Sequence, residues 1–332
     1  MLPSSAARSR VIWAFAFIAL VAVSIVHLAS GTSVWLGPST LAKALFGQGD
    51  PGTVVIVQSI RAPRLVACWL SGAILGGIGA VFQAVFRNPL AEPYVVGVSS
   101  GAALGGVTVV LAGFASAASG LGLMVGALVG GLLLLALVLA IGRTRVDPMH
   151  LLLAGVALGA MISGLVTVML VTGGQDTNRV VGWLFGATDR AMPTQLYVIA
   201  AAGVLGLAWI LRNARKLDAL ALGDTDAHSL GLSVAVWRGR FLGVGSVLTS
   251  LVVGAVGVIG FVGLIAPHAA RRLTPGDSRA TILAATVLGA FLLTAADLIA
   301  QRATGVIAVP VGAMTAILGA PLMVVLLRRS AL

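Results

Sequence analysis

Ten stretches of this chain are apolar for about the length that a helix needs to cross a bilayer, and no other feature narrows its fold so far. At 1.5 Å rise per residue, ~20 apolar residues cover the ~30 Å of hydrocarbon. The runs fall at 11–30, 62–82, 94–112, 121–141, 150–172, 193–211, 239–258, 260–273, 280–300 and 310–327. The eighth is the shortest. An even number of crossings puts both chain ends on one side. The expected fold class is therefore all-α, a polytopic membrane protein of about ten helices in a single domain over residues 1–332. Residues 11–28 follow a short basic segment, as a signal peptide's core would. They run longer than such a core and lack a clear small-x-small cleavage site, so a retained first span is expected.

Composition supports that reading. Of the 332 residues, 59% are hydrophobic and 9% are charged. A soluble domain keeps about a quarter of its residues charged, so lipid must cover much of this surface. The net charge of +11 is spread in small groups between apolar runs, such as Arg143/Arg145, Arg238/Arg240 and Arg271/Arg272. That placement belongs to loops held on the cytoplasmic side and argues against nucleic acid as a partner. With the N-terminus inside, fifteen of the 21 Lys and Arg lie on the cytoplasmic side. The outer side keeps Lys43, Arg61, Arg64, Arg179, Arg190 and Arg302. Both termini are therefore expected to be cytoplasmic.

Glycine recurs at four-residue spacing, as in Gly72/Gly76, Gly97/Gly101/Gly105 and Gly155/Gly159. Small residues let helix backbones approach closely in lipid, where hydrophobicity gives no drive for association. Two segments break the pattern. The second span runs into Asn88-Pro89-Leu90-Ala91-Glu92-Pro93, and the seventh runs through Val256–Gly260 into a Gly263–His268 segment that contains Pro267. The second span points inward and the seventh outward. Opposed copies with Gly and Pro interruptions are the trace of an inverted repeat in transporters.

Motifs for chemistry are sparse. The two lysines, Lys43 and Lys216, do not follow glycine, which rules out a Gly-Lys-Ser/Thr phosphate loop on this chain. The only cysteine, Cys68, excludes an intrachain disulfide and a cysteine-based metal cluster. No catalytic residue and no metal ligand set is expected. Gly97-Val98-Ser99-Ser100-Gly101 formally matches a nucleophile elbow, but it opens a membrane helix where the elbow requires a preceding strand. Intramembrane charge is the mark of ion coupling. Here Glu92 is the one glutamate and sits at a break, while Asp297 lies near the outer end of the ninth span, where capping or pairing with Arg302 would also account for it. Residues 217–232 read as two short amphipathic helices, the second capped by Asp224 or Thr225 with Ala227 and Leu230 on its apolar face.

Arg61-Ala62-Pro63-Arg64, the Arg87–Pro93 motif, Gly97–Gly101, Leu151–Gly155, Gly260–His268 and Pro310-Val311-Gly312 with Gly319-Ala320-Pro321 occur together and in this order. On these motifs the chain resembles the FecCD/BtuC-type permease family of type II ABC importers for iron-siderophores, haem and cobalamin. The resemblance implies a ten-helix subunit that forms a homodimer around one pathway. Two cytoplasmic ATPase subunits would bind ATP and Mg beneath it, with no cofactor on this chain. A periplasmic or lipid-anchored substrate-binding protein would dock above, in a bacterial inner or plasma membrane. ATPase coupling falls on Leu220, Gly223, Asp224, Ala227, Leu230 and Gly231, with Gly231 at the turn between the coupling helices. Docking of the binding protein falls on Arg61, Arg64 and Arg302. The cytoplasmic gate falls on Asp147, Pro148, Met149 and His150. The fifth span, a short helix near 178–187 and the tenth span would line the pathway. The family's motifs at the helix breaks are Asn88, Pro89, Glu92, Pro93, Gly263, Pro267 and His268. Two positions depart from it. Gln301, followed by Arg302, stands where members commonly carry an arginine, and Ala308 stands where many carry glutamate. The expected cargo is a ferric siderophore, with haem and cobalamin next. A gradient-driven transporter and an intramembrane hydrolase built on Ser99 are the readings from other classes.

Overall fold

The computed structural model describes residues 5–31, 34–113, 120–141, 148–173, 177–273, 276–303 and 309–330. Among them there is no β-strand. The first helix, α1, spans Ser5–Ala29. Two short helices follow, α2 (Pro38–Leu45) and α3 (Pro51–Val55). A π-helical turn at Ile56–Arg61 then leads without a break into α4 (Ala62–Val85). Next come α5 (Val98–Leu111), α6 (Leu121–Ile141), α7 (Pro148–Thr172) and α8 (Thr177–Leu184). A 3-10 turn at Thr188–Arg190 precedes α9 (Pro193–Arg212), α10 (Ala214–Leu222) and α11 (Asp224–Ser229). The chain closes with α12 (Val234–Val256), α13 (Val262–Leu273), α14 (Ser278–Arg302) and α15 (Val311–Ser330).

Each of the ten expected runs contains a helix. Among the described residues six helices are long and apolar enough to cross a membrane, counting α3 through α4 as one. α5, expected as a span at 94–112, has 14 residues and is shorter than a crossing. The helix starts carry ordinary signals. Pro opens α2, α3 and α9, where a missing N–H costs nothing. Asp50 caps α3, accepting from Thr53 N at 2.8 Å, and Asp277 caps α14, accepting from Ala280 N at 2.9 Å. Helices α2 and α3 were not foreseen, because they are too short and too mixed in polarity to register as spans. They cover a small core of Leu36, Leu41, Ala44 and Val57.

α4 is the axis of the bundle and is buried along most of its length. Against α14 the two backbones nearly touch: a methyl group added at Gly72, Gly76 or Gly289 would overlap the facing main chain. Gly101 and Gly105 of α5 meet Gly126 and Gly130 of α6 in the same way. These small-residue stripes are therefore seams within one subunit, which is what lipid-embedded helices need to gain dispersion contact.

Contacts at the helix ends fix direction. Arg64 at the start of α4 reaches Asp297, which also holds Thr188, and Ala187 N donates to Val256 O at the end of α12. At the opposite end Arg87, just past α4, and Arg238, at the start of α12, share Asp224. α4 and α12 are thus antiparallel, and each leads through an irregular link into a short helix, α5 or α13. That is the opposed pairing expected of an inverted repeat. α1 finishes beside Asp297 and α15 starts beside Gly186, so both elements have their other ends toward α10.

The eighth span, expected at 260–273, needs correction. α13 has 12 residues, about 18 Å of helix, and cannot cross ~30 Å. It starts where Gly263 lies against Leu75 and Gly79, midway along α4, and runs toward the α10 end. The non-helical residues 257–261 make up the remaining depth, which is tolerated because protein rather than lipid surrounds them.

Candidate functional site

The residues singled out by sequence gather at the two ends of the bundle. At one end a fully buried carboxylate, Asp297, collects four side chains. His27 Nε2 lies 2.7 Å from Oδ2, Arg64 Nε donates to Oδ2 at 2.8 Å, and Gln301 Nε2 donates to it at 2.9 Å. Oδ1 accepts from Arg64 Nη2 at 3.0 Å and Thr188 Oγ1 at 2.7 Å. One acid thereby ties together α1, α4, α14 and the 3-10 turn. A bare charge at this depth would be very costly, so the guanidinium fork and the neutral donors are what permit it. His27, Cys68 and Asp297 also offer ligand atoms within 4.8 Å of one another. With both Asp297 oxygens occupied by Arg64, the trio reads as an ion-paired anchor, not a metal site.

Two expected docking residues are engaged inside the chain. Arg61 Nη1 donates to the carbonyls of Leu28 (2.8 Å) and Ala29 (2.9 Å), and Nη2 donates to Val34 O at 2.8 Å. It thus satisfies the free carbonyls at the end of α1. Arg64 is bound to Asp297. The three-residue spacing does put both on one face of a continuous helix, but that face turns toward α1 and α14. Arg302 is different: it is exposed, its guanidinium 5.1 Å from the ring centre of Trp35. It does not pair with Asp297, as the sequence reading had allowed.

At the other end, α10 and α11 form a bent pair. The turn between them is at Gly223, with φ +132°, and not at Gly231, which lies beyond α11 with φ +77° and open space around it. Gly223 is also the N-cap of α11, the role expected of Asp224 or Thr225. Asp224 instead accepts from Arg238 Nη2 at 2.7 Å, with Arg87 Nη2 at 3.4 Å. Asp218 Oδ1 accepts from Ser278 N at 2.8 Å and ties α10 to α14. Leu220 and Ala227 are fully buried and hold the pair to the bundle. Leu222 and Leu230 point away from it, 66% and 67% exposed. Ala227 is thus buried while Leu230, the residue that follows α11, is exposed, so the two do not share a buried face as the amphipathic reading expected.

The two helix-break motifs, far apart in sequence, meet between these ends. Asn88 Oδ1 accepts from Leu90 N at 2.9 Å and shapes the turn before Pro89. Glu92, in the link between α4 and α5, is buried beside Pro93 and Gly263 and accepts a hydrogen bond from the Phe261 N–H. Burial pushes its carboxyl up to about 7, against the smaller opposing pull of that N–H. Gln83 donates to Leu264 O at 3.2 Å and is held in turn by Arg271. Pro267 lies inside α13 and His268 follows it, half-buried.

Of the gate residues, Asp147 lies outside the described residues. Pro148 is the buried first residue of α7, while Met149 is 52% exposed and His150 is exposed. Ser99 is buried near the start of α5, and His27, the histidine nearest the outer end of a span, is already bound to Asp297. A hydrolytic pair on Ser99 therefore has no support. The sequence reading missed Thr188, Gln83 and the His27–Asp297 contact. Only Asp297 and His27 carried a signal, as ionisable groups within apolar runs.

The sequence model of the FecCD transport family matches residues 16–329. The vitamin B12 import system permease protein of Klebsiella pneumoniae is 34% identical over 96% of this chain and 94% of its own. The cobalamin import system permease protein of Halobacterium salinarum is 37% identical over 91% of this chain and 82% of its own. A solved metal-chelate type ABC transporter in an inward-facing conformation superposes with a TM-score of 0.84 at 27% identity, over 96% of this chain and 99% of that one.

Proposed function

Because the chain belongs to the FecCD transport family as the permease of an ABC importer, we propose that two copies of it form the pathway for a bulky metal chelate, with ATPase subunits at the α10 end and a substrate-binding protein at the other. The observation that carries this reading is the braced, outward-facing pair α10–α11. Its exposed Leu222 and Leu230 offer an apolar contact, and Asp224, Asp218 and the buried Leu220 make that contact rigid enough to transmit a push. The distribution of Lys and Arg puts the α10 end in the cytoplasm. The termini follow it there. Asn88, Pro89, Glu92 and Pro93 would keep the first link in register with Gly263, Pro267 and His268 while α4 moves. Nothing on this chain hydrolyses ATP in this scheme.

The cargo reading moves from a siderophore toward a corrinoid, since both relatives named above are cobalamin permeases. Arg302 is the cation presented to the binding protein, while Arg61 and Arg64 stiffen the rim beneath it. The test is uptake into proteoliposomes holding the complete importer, with cobalamin and a ferric siderophore as competing cargoes. Vanadate-sensitive cobalamin uptake is the expected result. Uptake that ignores vanadate and follows a proton gradient would favour the secondary-transporter class. The gate is tested separately. Met149→Cys, in a Cys68→Ala background, should cross-link between subunits without nucleotide. No cross-link in any nucleotide state would place Met149 off the axis.

A further inference from the structure

One feature of the surface has no part in that scheme. Between α9 and α12, with Leu132 of α6 at its edge, lies an open groove of about 690 Å³. Its floor is apolar: Ala202 and Gly206 of α9, and Val244, Val247 and Leu248 of α12. At the α10 end it is closed by Trp209 and Trp237, stacked with ring centres 6.2 Å apart and 22° between planes. Two cations sit over Trp237. Lys216 Nζ is 3.6 Å from its ring centre and the Arg240 guanidinium carbon is 4.7 Å from it. Lys216 also donates to Asn213 Oδ1 at 2.9 Å. Neither cation is paired with a carboxylate among the described residues.

We propose that this groove binds a phospholipid with an anionic headgroup from the leaflet on the α10 side, its phosphate held by Lys216 and Arg240 and one acyl chain laid along the apolar floor. The order of the parts matches the order of parts in a lipid. Arg240, Gly243, Val244 and Val247 follow at helical spacing on one face of α12, which covers ~10 Å of depth from the cations inward. The tryptophans mark the level where ring and headgroup meet. Cation–π contacts hold both basic groups in place while leaving their charge uncompensated. Basic pockets between membrane helices select anionic over zwitterionic lipid for this reason.

The experiment uses the full-length chain in detergent and two probes, phosphatidylglycerol and phosphatidylcholine with brominated acyl chains, which quench tryptophan on contact. Brominated phosphatidylglycerol should quench at a lower concentration than the phosphatidylcholine, by roughly fivefold for each cation engaged. Lys216→Gln/Arg240→Gln should bring the two lipids level by weakening only the anionic one. Gly243→Leu fills the groove from a position with open space beside it, so it should weaken both. Equal quenching of the unaltered chain by the two lipids would overturn the proposal. So would an anionic preference that survives in the double variant.

Discussion

The two ends of the bundle handle charge in opposite ways. Around Asp297 the donors that face the carboxylate are all satisfied within the chain, and the elements they join include the first and ninth spans, 270 positions apart. Around α10 the acid stays at the surface, and of its two arginines Arg238 is buried and Arg87 is exposed. Asp224 is 37% exposed, Arg87 is 39% exposed, and leucines project beyond them. In the proposed scheme, an anchor of the first kind would keep one end in shape while a soluble protein lands on it. A braced, partly solvated contact of the second kind would let the other end exchange force with a partner.

The sharpest test of that contrast removes one acid from each end. Asp297→Ala leaves Arg64 buried without its counter-charge, at a cost of about 3–5 kcal/mol, and the chain should express poorly and melt early in detergent. Asp224→Ala should cost less, since solvent screens an acid 37% exposed even though the buried Arg238 loses one partner, and should mainly weaken retention of the ATPase. Equal losses of thermal stability for the two would erase the distinction.

Backbone strain gives the next largest effect, confined to the α10 end. Gly223 has φ +132° and ψ +160°, a region essentially closed to other residues. Gly231, at φ +77°, is in a left-handed region that costs an L-residue roughly 1–2 kcal/mol. Gly223→Leu should abolish ATPase pull-down, while Gly231→Leu should retain part of it. The reverse order would move the essential turn back to Gly231.

A pH scan separates the ends by their titration. Glu92 lies toward the α10 side, and its carboxyl in the folded chain is raised to about 7 from an ordinary 4.5. The folded state therefore holds this proton more tightly than the unfolded one. Its contribution to stability is fully present below ~4.5 and is lost as pH rises through 7. Melting temperature should fall between pH 5 and 8, and Glu92→Gln should flatten the fall. An unchanged slope in that variant would assign the pH dependence elsewhere.

The smallest effect is kinetic. Arg302→Glu should slow association of the binding protein severalfold at low salt and leave stability unchanged, as rim charges do. Arg64→Gln should lower stability instead. A variant at Arg64 that folds normally and only slows docking would show that its bond to Asp297 opens readily.

What was legible in the sequence was whatever depends on a local run of residues. Crossing a bilayer requires ~20 apolar positions in a row, so the apolar helices could be located, and the break motifs announced themselves by Gly and Pro. The family followed from motifs in a fixed order. Length showed that residues 260–273 are short for a span, but not what makes up the missing depth: residues 257–261, sheltered by the end of α8, Gly186 and the glycines of α15. The choice between Gly223 and Gly231 turned on where α10 ends and α11 begins, which is settled by Leu217, Leu220 and Ala227 finding buried places against the bundle. Arg61 and Arg64 carry the same charge in any reading. Whether that charge faces a partner protein or a buried carboxylate depends on Leu28, Ala29 and Asp297, residues 32 to 233 positions away. An ion pair forms wherever desolvation leaves a charge no other partner, and only the tertiary structure decides which groups lose their water together.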